Sequence, residues 1–140
     1  MNCQNNNNDE GSCITNILQV INVLQNKSEK IDDLPQTCDR PFLGCTQSTN
    51  CFVYNTRPVT LYNSSNLTFT FPYTLNGRAG TSDVLRVENV NNTCATFRVL
   101  APSLDANALF PYVATDSFVT VNTSCVCALR CLPDTFVDCI

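Results

Sequence analysis

The stretch that decides the fold is "VLRVENVNNTCATFRVL", residues 84–100. Two runs rich in β-branched and aromatic residues flank Asn91, Asn92 and Thr93. In the first run Leu85 and Val87 fall on one side, with Arg86 and Glu88 opposite. In the second, Ala95, Phe97 and Val99 share a side. A period of two sends alternate side chains to opposite faces of a strand, and the polar triplet between the runs reads as a turn. The stretch is therefore two consecutive strands, each offering one face to a core and sending its polar side chains the other way.

The same signal extends in both directions. "FVYNTRPVTLYN" (52–63) and "LTFTFPY" (67–73) carry it upstream, where Leu67, Phe69, Phe71 and Tyr73 alternate with Thr68, Thr70 and Pro72. "NGR" at 76–78 supplies a hairpin turn. Residues 101–116 are mixed, with two prolines. "SFVTVNTSCVCALRCL" (117–132) returns to alternation and, as one continuous strand, puts Val121, Cys125, Cys127 and Leu129 on one face. Several short strands joined by turns predict a mainly β fold, a single antiparallel β-sandwich or barrel-like domain.

One segment departs from this pattern. In "CITNILQVINVLQNKSEK" (13–30) Ile14, Ile17, Leu18, Ile21 and Leu24 follow the spacing of one helical face, so an N-terminal amphipathic helix of about four turns is expected over 13–30. Its apolar stripe is expected against its own sheet or against a neighbouring molecule's helix. The second is favoured, because the arm beside it carries Cys3 and Cys13. Residues 1–12 are Asn-rich and read as a disordered arm, and 36–51 as an irregular loop fastened by Cys38, Cys45 and Cys51. The chain is one β-rich domain, 13–140, behind that arm.

Composition narrows the function. The 140 residues are 44% hydrophobic and only 14% charged, with net charge −4 and no basic cluster, which argues against a nucleic-acid partner. No apolar run approaches the roughly 20 residues of a membrane helix. The Asn/Thr sequons are read as chance. Ten cysteines signal an oxidising destination, yet the N-terminus has neither the basic nor the apolar region of a signal peptide.

The cysteines are Cys3, Cys13, Cys38, Cys45, Cys51, Cys94, Cys125, Cys127, Cys131 and Cys139. A zinc site is disfavoured: the C-x-C-x3-C of 125–131 lacks paired C-x2-C knuckles, and the chain has no histidine. Catalysis is disfavoured too, since no base is present to generate a thiolate and Asp134 and Asp138 would oppose one. No cofactor is expected. Burial as a reduced, small hydrophobe suits one or two positions, such as Cys127 between Val126 and Ala128. Disulfides remain, and a domain with this much core does not need them to fold, which shifts weight to bonds between molecules. Same-face thiols at i and i+2 are badly placed to bond each other, so Cys125 and Cys127 are expected to seek partners elsewhere. The pairing itself is open, because ten cysteines admit about 945 complete pairings. Arg57, Arg86, Arg98 and Arg130 are expected on solvated strand faces or in ion pairs between subunits.

"NTRP" (55–58), "VLRVENV" (84–90), "CATFRVL" (94–100), "CVCALRCL" (125–132) and the "PFLG" of 41–44 together resemble the spore coat protein CotY/CotZ family, which includes the exosporium protein ExsY of spore-forming bacilli. The likeness spans residues 13 to about 133, with the cysteine motif as its most specific part and with the arm and the tail outside it. The resemblance implies a structural, self-assembling protein of the spore surface (outer coat, crust or exosporium). Such a protein is made in the mother-cell cytoplasm without a signal peptide. The resemblance also implies a homo-oligomer in a hexameric two-dimensional lattice, disulfide cross-links, and other coat or exosporium proteins as partners. The alternative is a monomeric metal- or ligand-binding β-domain.

Overall fold

The structure, a computed structural model, describes residues 13–31, 54–138 and 140. The arm 1–12 and the loop 36–51 lie outside the described residues, and with them Cys3, Cys38, Cys45, Cys51 and Cys139. One helix, α1 (Cys13–Ile31), precedes seven strands: β1 (Val59–Tyr62), β2 (Phe71–Leu75), β3 (Arg78–Ser82), β4 (Leu85–Val90), β5 (Cys94–Pro102), β6 (Tyr112–Asn122) and β7 (Ala128–Cys131).

Five strands form an antiparallel sheet in the order β6-β5-β4-β1-β7, and β2 and β3 form a separate hairpin. The two layers are sandwich-like and do not close into a barrel. β4 and β5 are the predicted pair, with Leu85 opposite Val99 and Val87 opposite Phe97. The β2–β3 turn has positive φ at both Asn76 (51°) and Gly77 (78°), the two-residue turn whose twist matches its strands. Phe69, Phe71 and Tyr73 carry the hairpin onto the core. Leu67 instead stays 64% exposed, because the chain turns at Asn63–Asn66 and regular pairing starts only at Phe71.

The core gathers Leu85, Val87, Phe97, Val99 and Val121 from the sheet, Leu18 and Ile21 from α1, and Val126. The helix therefore packs on its own sheet, over β4, and the expectation that its buried face meets a neighbour is corrected. Its orientation also differs from the expected stripe. Thr15, Leu18, Ile21 and Gln25 face inward, while Ile17 and Leu24 are exposed. Gln25 tolerates burial because both ends of its amide are bonded: Nε2 donates to Val87 O (2.7 Å) and Oε1 accepts from Arg57 N (3.1 Å). That bridge joins helix, β4 and the segment before β1, and it rotates the helix away from the arrangement its aliphatic residues alone suggest.

The continuous strand expected over 117–132 is broken. Residues Thr123–Cys125 form a 3-10 turn, with the Asn122 side chain accepting from Ser124 N (3.1 Å) and Thr123 Oγ1 donating to Thr93 O (3.1 Å). The chain leaves β6 at one edge of the sheet, buries Val126 in the core and enters β7 at the other edge. Cys125 and Val121 therefore do not share one strand face.

Candidate functional site

Five of the ten cysteines are described. Cys13 is exposed at the start of α1. Cys94 is half-buried at the start of β5, opposite Asn122, where its N–H donates to Asn91 Oδ1 (2.7 Å) and its sulfur accepts from Thr93 Oγ1 (3.7 Å). As expected from its strand parity, it points away from Ala95, Phe97 and Val99. Cys125 is exposed at the end of the 3-10 turn, and Cys131 is exposed on β7 opposite Val59. These four are free thiols. Cys127 differs: it is half-buried and disulfide-bonded, and the other half of its bond is outside the described residues. The reading of Cys127 as a reduced core residue is corrected, because its sulfur is held in a disulfide and its side chain is only half-buried.

Sequence reasoning missed the arginine network. Arg86 and Arg98 are cross-strand partners, a juxtaposition that repels unless an anion intervenes. Glu88 Oε1 lies between them, 2.8 Å from Arg86 Nη1 and 3.3 Å from Arg98 Nε. Arg86 is only 2% exposed; its Nε donates to Thr56 Oγ1 (3.0 Å) and its Nη2 to Asn55 O (3.1 Å). Arg98 donates to Thr115 O (3.1 Å) and lies 4.6 Å over the Phe118 ring. Arg57 grips Asp134 with two parallel bonds of 2.7 and 2.9 Å. That hydrogen bond holds the Asp134 carboxyl below its ordinary range against the opposing effect of burial, and raises the Arg57 guanidinium. Of Arg57, Arg86, Arg98 and Arg130, the first three are thus occupied within the chain, and Arg130 is exposed on β7. The only hint in the sequence was the acid at position 88 two residues from Arg86, on the same face.

These contacts fasten the C-terminal segment. Asn55 Nδ2 donates to Val137 O and its Oδ1 accepts from Val137 N, both at 2.9 Å, while Thr56 and Thr135 exchange backbone bonds. Nearby, a hollow of about 520 Å³ is lined by Leu109, Phe110, Tyr112, Phe136 and Asp138. Among the described residues no group of three or more Cys, Asp or Glu lies together in a way that would hold a metal ion. No helix among them is long and apolar enough to cross a membrane.

The arrangement is a fastened sheet that displays separate thiols, and its chemistry is that of exposed sulfur on a rigid support. No curated protein and no solved structure matches the chain. The sequence profile of the spore coat protein Z family matches residues 1–110. That span includes the arm, which the residue-level likeness left out, and stops before the cysteine motif of 125–131. The family is one of structural coat proteins and not of enzymes, which implies a spore-surface location. With more than three quarters of its length matched, 110 of 140 residues, the chain belongs to the spore coat protein Z family.

Proposed function

We propose that this chain is a self-assembling building block of the spore surface, without catalytic activity, whose copies associate into an extended two-dimensional array and are then joined by disulfides. The observation that carries the reading is the display of free, exposed thiols on three separate elements, Cys13 on α1, Cys125 after β6 and Cys131 on β7. Thiols pointing outward from different parts of one domain suit bonds to several neighbours. Few charges and several exposed aliphatic side chains, Val20 and Val23 on α1 among them, favour association. Many weak contacts per subunit suffice to order an array, and covalent bonds made afterwards render its durability kinetic. A hexameric array and partnership with other coat or exosporium proteins are part of the same proposal.

The test is a denaturing gel of air-exposed protein with and without reductant, beside negative-stain images. Ordered sheets, and high-mass species that collapse to a 15.5 kDa band only with reductant, are expected. A clean monomer band without reductant, or images of isolated particles only, removes the reading.

A further inference from the structure

We propose that the exposed side of α1 pairs antiparallel with the α1 of a second copy, along a seam of Cys13, Ile17, Val20 and Leu24 and about a two-fold axis midway between Ile17 and Val20. The inference rests on the self-assembly reading above and names one contact of the array.

The helix carries two apolar lines. Leu18 and Ile21, with Thr15 and Gln25, are buried toward the sheet. Cys13, Ile17, Val20 and Leu24 lie roughly a third of a turn around the helix from them and are exposed, Val20 to 59%. Their spacing of four, three and four residues is that of the alternating seam positions of a coiled coil. Exposed Tyr54 lines one hollow with Leu24 and extends the apolar surface at that end. The bonds of Gln25 to Val87 O and Arg57 N hold the helix in this rotation. The chain thus buries two polar side chains of α1 and leaves three aliphatic ones in water, which a second molecule can cover and its own sheet does not.

The occupant is another α1 because the seam fits itself. Run antiparallel, Ile17 falls opposite Val20 and Cys13 opposite Leu24, alike at both ends, so each seam position meets one of the other kind. From Cys13 through Asn26 no residue is charged, and two copies approach without repulsion. Charge also sets the direction. Asp9 and Glu10 precede the helix in sequence, and Lys27 and Lys30 lie near its end. Antiparallel copies bring opposite charges and opposed helix dipoles together, whereas parallel copies would set the two Lys27 positions level with each other. The helix is already folded on its sheet, so pairing carries no cost of forming it, and a short seam suffices for one weak contact among several. Cys13 ends the seam, which keeps its sulfur at the rim of the contact and within reach of solvent.

The experiment introduces one thiol, Leu24→Cys, into the full chain, treats the assembled protein briefly with diamide and maps the cross-linked peptides. Residues 13 and 24 of one helix are roughly 16 Å apart, too far for a disulfide, so a Cys13-to-24 peptide reports two copies. That peptide is expected as the main new product. Adding Val20→Lys, at an exposed position where the fold is spared, should lower its yield at least about tenfold. Asn26→Cys, exposed near the same end of the helix but off the seam, should give no comparable 13-to-26 peptide. Links of 13 to 13 and 24 to 24 in place of 13 to 24, equal yields at 24 and 26, or a yield that Val20→Lys does not change each overturn this inference, and leave the assembly reading standing where the same protein forms ordered sheets. Isolated monomers in images of the unaltered chain overturn both.

Discussion

The two sides of the five-stranded sheet bury side chains of opposite kinds. On one, Leu85, Val87, Phe97 and Val99 meet the helix and the hairpin in an apolar core. On the other, Arg86 is equally hidden but answered by Glu88, Thr56 and the Asn55 carbonyl. Apolar burial is forgiving: an imperfect replacement loses area and leaves a void. Buried charge is not, because removing one partner strands the rest without water. The difference teaches that this fold is held on one side by quantity of contact and on the other by completeness of pairing.

The largest effects should expose that difference. Phe97→Ala and Arg86→Ala are each expected to cost about 3–5 kcal/mol in urea unfolding, the first through a cavity and the second through an uncompensated Glu88. Their conservative variants separate them. Phe97→Leu should recover most of the loss, since it refills the cavity. Arg86→Met should recover little, since a side chain of similar length leaves the same acceptors orphaned. An Arg86→Met protein as stable as Phe97→Leu would show that the polar side is filler like the other.

Gln25 sits where the two principles meet, a polar side chain on the apolar side. Gln25→Leu should lower stability by about 1–3 kcal/mol despite adding apolar surface, because Val87 O and Arg57 N each lose a partner. Urea midpoints read it directly. An unchanged midpoint would mean that the helix is seated by Leu18 and Ile21 alone.

The same division explains what the sequence disclosed. Alternation at 84–100 and the Asn76-Gly77 turn were legible because core-facing strands and tight turns depend on neighbours in the chain. The helix was legible as an element, but its buried face was not. Gln25 is inside and Ile17 outside because of a carbonyl on β4 and an N–H near β1, both far away in sequence. Arg86 was read as solvated for the same reason. The break after Asn122 escaped notice because the residues that make it, Asn122, Thr123 and Ser124, also suit an exposed strand, and only the bond to Thr93 decides between them. The cysteines were visible as a set, yet which of them is oxidised depends on contacts between distant segments that no spacing reveals.

The smallest effect belongs to Arg57 and Asp134, the ion pair that lies at the surface. It has the bidentate geometry of a strong pair, but the two side chains are 39% and 40% exposed, so water and salt screen it. Asp134→Asn should cost no more than about 1 kcal/mol, well below the loss at Arg86. Its pH dependence has a definite sign. The folded chain holds the Asp134 carboxyl below its ordinary range, so the unfolded chain binds that proton more readily. The contribution is therefore complete above the ordinary carboxylate range and disappears as pH falls through the lowered value. Comparing wild type with Asp134→Asn, the stability gap should be constant near neutrality and close in acid, and added salt should narrow it at pH 7. A gap that persists in acid would show that Asp134 acts through packing of the C-terminal segment and not through its charge, which would put this surface pair with the apolar side of the sheet.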